Sequence, residues 1–403
     1  MRIRYSAGKN GKPVKKAIVY TREEHGINFN DVDVDAVEIT ERLKAGGYET
    51  YIVGGAVRDL ILGKKPKDFD IVTAASPTRI KKIFRNARII GHRFRLVHVY
   101  YGPKLFEVST FRSLKDGPTS NTYGAIEEDV MRRDFSLNAL FYDPGKQIVV
   151  DYVGGMKDIR ERRIRPIIPL SAIFKDDPVR MIRAVKYGAA AGCSLPFLLR
   201  WKIKGQAGLL SSVSPSRLTE EIMKIIHSSD AALIVENLEA YGLYEYLQPE
   251  AAKLLKENRD FRERYFKSLR GINQPGSSGA PGEALAAMVR DFLEDYIDWD
   301  KGGIVENYKN AFFAARQFVL PMNPPRMELD QGVRLIFADH GITIKKSRFS
   351  ERPERPSHPP LRQGSPRRER ENGEGGIKEG EEAAKRRRRR KRQVPINPET
   401  PSP

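Results

Sequence analysis

The chain has 403 residues, 40% of them hydrophobic, enough for two or three domains with real cores. Its 71 Lys+Arg against 52 Asp+Glu give a net charge of +19, which favours a polyanionic partner such as nucleic acid over an acidic small molecule. The single cysteine, Cys193, excludes an intramolecular disulfide and a multi-cysteine zinc site. No run approaches the apolar length of a membrane span, so no membrane partner is expected.

Residues 1–34 read as a polar lead-in. Their start, MRIRYSAGKNGKPVKK, is basic without an apolar core, and no secretory signal is expected there. DAVEITERLKA (35–45) has helical apolar spacing and stops at Gly46-Gly47. ETYIVGG is a strand running into a glycine turn, AVRDLILG a short helix closed by Gly63, and DFDIVT a second strand. SPTRIKKIF opens with Ser76 as N-cap and Pro77 at the first helical position. RLVHVYYG and LFEVSTFR are two strands joined at Gly102-Pro103. The first 150 residues therefore predict a small α/β unit with a mixed sheet.

After Asp151 the strands mostly vanish. DDPVRMIRAVKYGAAAG, SPSRLTEEIMKIIHSS, DAALIVENLEAYGLYEYL and EALAAMVRDFLEDYIDW all carry helical periodicity, so this half predicts an all-α region. NQPGSSGAPGE near residue 280 reads as a flexible loop. Beyond about residue 346 the chain is Pro-, Gly- and charge-rich and cannot bury enough to fold. From residue 345 on, 18 Lys+Arg oppose 9 Asp+Glu, and the preceding part is basic as well. Eight consecutive cations, Lys385, Arg386, Arg387, Arg388, Arg389, Arg390, Lys391 and Arg392, form an arm expected to bind nucleic-acid phosphates without sequence preference.

The candidate chemistry lies in VGGAVRDLILGKKPKDFDIVT (53–73). Residues two apart on a strand share a face, so Asp68 and Asp70 project together while Phe69 and Ile71 face the other layer. Glu107, between apolar neighbours on a later strand, would bring a third carboxylate if the strands are neighbours. Such an oxygen-only cluster suits Mg²⁺, and two such ions can activate a hydroxyl and stabilise a leaving pyrophosphate. Gly54 and Gly55 have no side chains, so their amides can approach a triphosphate, and Arg58 one turn on can clamp it.

This segment resembles the signature of the class II nucleotidyltransferases, the bacterial poly(A) polymerases and CCA-adding enzymes. RRDFSLNAL (132–140) is similar to the family's RRDFxxNA motif. The resemblance implies that Arg132 and Arg133 bind phosphate, Asn138 the sugar, and that Asp134 is a further catalytic acid. DDPVRMIRA (176–184) matches DPxRxxRA, with Asp177 suited to cap a helix and Arg180 and Arg183 on one face of it. SRLTEEIMK (216–224) matches the family's base-selecting ExxR or ExxK element, so Glu221 and Lys224 are expected to read one base edge. The resemblance covers about residues 22–344 and is weakest over 249–308.

It implies an α+β architecture: a nucleotidyltransferase head at 35–165 with a small mixed sheet, a helical neck at 166–250, a helical body at 251–345 and a disordered Arg-rich tail at 346–403. It also implies a cytoplasmic bacterial enzyme, Mg²⁺-dependent, that adds AMP from ATP to RNA 3′ ends in mRNA processing and decay. A CCA-adding enzyme is the nearest rival, and a non-catalytic RNA-binding protein a rival of another class. Three details favour the polymerase. RIIGHRFRLVHV (88–99) resembles a polymerase-type element, with His92 where the family has Arg or Lys. TEEIMK ends in a lysine, a point donor, where CCA-adding enzymes carry a forked arginine. TREEHGI (21–27) and the basic C-terminus resemble the polymerase too. RQFVLPMNPPRMELDQGVRLIF (316–337) is similar to the polymerase body, and core packing is its expected role.

Overall fold

In the computed structural model, residues 2–7, 13–91, 96–113, 123–272 and 282–344 are described. His92, most of the loop around residue 280 and the cationic arm at 385–392 lie outside the described residues.

Among the described residues, the apolar runs of the first 151 positions build nine strands: β1 (Arg2–Ala7), β2 (Pro13–Tyr20), β3 (Thr50–Val53), β4 (Asp70–Thr73), β5 (Ala87–Ile90), β6 (Leu96–Tyr101), β7 (Lys104–Thr110), β8 (Leu140–Asp143) and β9 (Ile148–Asp151). Their order in one sheet is β1-β2-β9-β8-β3-β4-β7-β6-β5. The pairing of β4 with β7 is parallel and the others are antiparallel, so the sheet is mixed, as expected. Gly102, at φ 54, and Pro103 make the predicted turn, with Tyr101 paired to Lys104.

The expected lead-in is a correction. β1 and β2 continue the sheet beyond β9, with Ile18 opposite Asp151. Alternation in RIRYS and an apolar run in AIVY carried that signal beneath the lysines and arginines.

The sheet is buried on both faces. Ile52, Ile71, Phe106, Val108 and Tyr142 join the large core beneath helices Val34–Ala45, Gly55–Ile61 and Pro77–Ile83. Tyr51, Val53, Val72, Phe141 and Val150 face a smaller cluster closed by Ile126 and Val130 of helix Ile126–Met131. Each aliphatic side chain buried in this way contributes about 1.5–3 kcal/mol. Two-sided burial fixes the register, because a slip of one residue would exchange the faces.

Among the described residues the chain after β9 is helical. The main helices are Val179–Ala191, Phe197–Gln206, Pro215–Ile226, Ala231–Ala240, Arg259–Arg270, Glu283–Tyr296, Ile304–Phe318 and Arg326–Asp339. Pro215 follows Ser214 at the start of its helix, and Asn258 caps Arg259–Arg270 by accepting from Phe261 N at 2.9 Å. Phe318, Val319, Met322, Leu329, Val333, Ile336 and Phe337 are buried, in agreement with the packing role expected of 316–337. Thr219 Oγ1 accepts from Asn323 N at 2.9 Å and ties helix Pro215–Ile226 to this segment. Among the described residues no helix is long and apolar enough to cross a membrane.

Candidate active site

β3 ends at Val53, paired with Asp70 of β4, so the glycine turn starts beside the acidic strand. Gly54 sits at φ 76, ψ −139, a region that only glycine adopts without strain. A Cβ there would lie 3.4 Å from Asp70 Oδ2. Gly55 opens helix Gly55–Ile61, and a Cβ on it would lie 3.6 Å from the Arg58 guanidinium.

Asp68 and Asp70 are exposed and the intervening Phe69 is buried, as the alternation requires. The parallel register pairs Ile71 with Val108, which sets Asp70 beside Glu107 one step earlier. Asp70 is open to solvent, yet its carboxyl lies in a cleft crowded by protein. Desolvation, then the charges of Asp68 and Glu107, push it up to about 6, while Arg133 and Lys224 pull it down. Glu107 is more than half exposed and lies 3.7 Å from His98 Nε2.

One expectation needs correction here. Among the described residues, no three acidic, His or Cys side chains already converge as a metal-holding group. The parallel register leaves Glu107 on the strand next to the aspartates, and it leans towards His98. The donor set still fits a hard divalent cation: it is oxygen-only, and the carboxylates repel one another where no protein cation bonds to Asp70 among the described residues.

Arg58 and Asn138 come together, although eighty residues apart. Arg58 Nη1 donates to Asn138 Oδ1 at 3.0 Å, and Arg58 Nε donates to Asp59 Oδ1 at 2.8 Å. Arg58 is buried over the Tyr187 ring, with its guanidinium carbon 5.6 Å from the centroid. The bond leaves the Asn138 amide nitrogen as a donor. Arg133 donates to Asp129 Oδ2 at 3.0 and 3.2 Å and to the Asn138 carbonyl at 3.3 Å, and lies 5.0 Å over the Phe141 ring. Arg132 donates to the Ser113 carbonyl at 3.1 Å.

Asp134 is not a free acid. It accepts from Arg180 Nε at 2.7 Å and from Arg183 Nη1 at 3.1 Å, both from helix Val179–Ala191. Asp177 accepts from Val179 N at 3.2 Å, as a cap should, and from Arg217 at 2.8 Å. Glu221 and Lys224 do not act as one pair. Glu221 is buried and accepts from Arg183 Nε at 2.7 Å and Lys186 Nζ at 2.5 Å, whereas Lys224 donates to Glu220 at 2.7 Å at the surface. Burial raises the Glu221 carboxyl, but Lys186 and Arg183 outweigh it and hold the group below the usual carboxylate range. Burial pulls the Lys186 ammonium down despite Glu221. We read the contact as an ion pair, because two cations share one carboxylate.

Lys186, Tyr187, Asp129 and Asp59 are site residues that sequence reasoning missed. Lys186 and Tyr187 lie three and four residues after Arg183, spacings that place them on one helical face, and Asp129 lies four before Arg133, which follows the end of its helix. Asp59 has only its adjacency to Arg58 as a signal.

A glycine turn over paired aspartates on a mixed sheet, faced by arginines from a helical segment, defines a nucleotidyltransferase head. Residues 50–165 match the Poly A polymerase head domain, and residues 200–255 match the model described as probable RNA and SrmB-binding site of polymerase A. The chain is 40% identical over 258 residues to poly(A) polymerase I of Salmonella typhi, which covers 60% of this chain and 56% of that protein. It is 38% identical over 224 residues to the CCA-adding enzyme of Geobacillus thermodenitrificans, covering 54% of this chain and 55% of that protein. Among solved structures it resembles the Bacillus stearothermophilus CCA-adding enzyme in complex with CTP, with 27% identity, a TM-score of 0.53, and coverage of 76% of this chain and 82% of that one. In these two stretches, and over somewhat more than half of its length, the chain is similar to poly(A) polymerases and CCA-adding enzymes. It spans somewhat over half the length of the curated relatives it matches.

Proposed function

We propose that the chain is a template-independent RNA 3′-adenylyltransferase that transfers AMP from ATP with release of pyrophosphate. The observation that carries this reading is geometric: the Asp70 carboxyl lies beside the Gly54 turn, next to Asp68 and one strand from Glu107. The similarity to poly(A) polymerase I of Salmonella typhi supports the choice of RNA and ATP.

Asp68 and Asp70 would hold Mg²⁺, with Glu107 on the neighbouring strand adding negative charge beside them. When bound, Mg²⁺ would supply the charge that lowers the pKa of the RNA 3′-hydroxyl and offsets the leaving oxygens. The backbone at Gly54 and Gly55 leaves room for the triphosphate. Arg132, Arg133, Arg180 and Arg183 bring positive charge to it, and Arg58 orients Asn138 towards the ribose. Lys224, steadied by Glu220, donates to the adenine edge, while Glu221 fixes Arg183 and so sets the depth of the base pocket. Asp134 holds Arg180 and Arg183 in register. Asp177 steadies the helix that carries them. The cationic arm at 385–392 would retain RNA, and the setting would be the bacterial cytoplasm.

Incubation of the full chain with Mg²⁺, ATP and an RNA oligonucleotide tests the proposal. Growth of a polymer with ATP alone is expected. Because CCA-adding enzymes are close relatives, a tRNA lacking its 3′ end is offered with CTP and ATP in parallel, and a requirement for CTP would replace the reading. Absence of any Mg²⁺-dependent pyrophosphate release would leave a non-catalytic RNA-binding protein.

A further inference from the structure

The loop that leads from helix Gly55–Ile61 into β4 reads GKKPKDF (63–69). Its Pro66 and Phe69 are buried, and its lysines are exposed. Two of those lysines cross to the helical segment. Lys64 Nζ donates to the Ala190 carbonyl, in the last turn of helix Val179–Ala191. Lys67 Nζ donates at 2.7 Å to the carbonyl of His227, the residue that ends helix Pro215–Ile226. The last carbonyls of a helix have no partner within it and form the negative end of its dipole, so a lysine is a favourable donor there. Lys65, between the two, has no such partner among the described residues.

The placement of these bonds matters more than their strength. Lys67 is the neighbour of Asp68, and His227 lies three residues, about one turn, after Lys224. The Lys67 bond therefore joins the loop that carries the acids to the helix that carries Lys224. Lys64 joins the same loop to helix Val179–Ala191, which carries Arg180, Arg183 and Lys186. Further ties run through the cleft: Arg180 and Arg183 donate to Asp134, and Arg58 lies over the Tyr187 ring. A triphosphate draws on those same arginines, so bonds to them cannot also fix a distance. The lysine bonds end on neutral carbonyls and leave the arginines alone.

We infer that Lys67, with Lys64, is a specificity-determining positioning residue: by fastening the loop before Asp68 to the ends of two helices, it sets the distance between the acids and Lys224. That distance decides which base meets Lys224 while the α-phosphate sits at the acids. A purine spans it and a pyrimidine falls short. The inference rests on the nucleotide reading proposed above. Neither lysine touches the nucleotide or the RNA, so the pair acts on nucleotide choice and not on RNA affinity.

Lys67→Met keeps the stem and removes the donor. In the full chain, the ratio of kcat/KM for ATP over CTP should fall about fivefold, the worth of one hydrogen bond, through a higher KM for ATP. Lys64→Met combined with Lys67→Met should lower it about twentyfold. The KM for RNA and the urea midpoint should stay close to those of the parent, because both lysines are exposed. Lys67→Arg still brings a donor to the carbonyl and should restore the ratio to within about twofold. Lys65→Met removes the same charge from the same loop and should change nothing. An equal loss in Lys65→Met would reduce the effect to net charge and overturn the proposal. An unaltered ratio in the double variant overturns it too, and a lower urea midpoint alongside would assign the bonds to folding alone. Calorimetric binding of ATP and CTP without RNA separates this role from the adenylyltransferase reading. Weaker ATP binding in Lys67→Met, in a chain that extends no RNA, removes that reading and leaves the positioning role standing. Extension by the parent with unchanged nucleotide binding in the double variant overturns the role alone.

Discussion

Glu221 Oε2 accepts from Lys186 Nζ at 2.5 Å, inside the protein, while Arg183 holds the other oxygen. Removing the lysine leaves a buried carboxylate with one cation. Lys186→Met should lower stability by about 3 kcal/mol, the lower end for breaking a buried pair, because Arg183 remains. Discrimination of ATP against CTP should fall with it, since Arg183 loses its fixed partner. Lys186→Arg should restore both. Urea unfolding and the ratio of kcat/KM for the two nucleotides check this. Loss of stability with unaltered discrimination would assign Lys186 to packing alone.

Asp70→Asn removes a charge without changing shape at a solvent-open position. AMP incorporation should drop by about a thousandfold or more, as for loss of a group that stabilises charge in the transition state. The unfolding midpoint and RNA affinity should stay close to those of the parent. Substantial activity in this variant would refute the metal assignment.

Gly54→Ala should cost about 1–3 kcal/mol, because alanine does not adopt φ 76, ψ −139 without strain. Its methyl would meet Asp70 Oδ2 at 3.4 Å, an ordinary contact, so the cost is that of the backbone. Thermal melting and the KM for ATP together check it. A variant as stable as the parent would show that the turn relaxes to another conformation.

His25 provides a pH dependence away from the cleft. It is buried, its Nδ1 accepts from Ile27 N at 3.0 Å, and Nε2 therefore carries the proton towards the Gln147 carbonyl at 3.1 Å. Burial lowers its pKa below the usual 6.5, against the pull of Gln147, Glu23 and Glu24. The unfolded chain thus protonates first as pH falls through 6.5, and folding loses stability there. Above that value both states are neutral and the contribution vanishes. The difference in urea midpoint between the parent and His25→Gln should shift against the parent between about pH 7.5 and pH 5.5. A constant difference would mean that His25 does not titrate differently in the two states.

The local parts of this site were legible. Gly54, Asp68 and Asp70 lie within one turn and one strand, and alternation alone placed Phe69 inside and the acids outside. The helices also followed their apolar period, and Gly102-Pro103 made the expected turn. What was hidden depends on distance along the chain. Glu221 is claimed by residues 35 and 38 positions earlier, and Asp134 by residues 46 and 49 later. No sequence spacing reports such partners, so Glu221 looked like half of an i,i+3 pair with Lys224 and Asp134 like a spare acid. β1 and β2 were missed for another reason: β1 is an edge strand, which tolerates arginine, and the lysines at the start of β2 masked the apolar run that follows.

The arginines of the cleft already have oxygen partners: Arg58 in Asn138 and Asp59, Arg133 in Asp129, Arg180 and Arg183 in Asp134. A polyanion reaching these arginines does not meet them bare. It must trade places with carboxylates that stay tethered nearby, so association becomes a swap of partners and its heat reports the difference between two sets of bonds. The tethered carboxylates also stand ready to reclaim the arginines when the anion departs, which gives the cleft a built-in means of letting go.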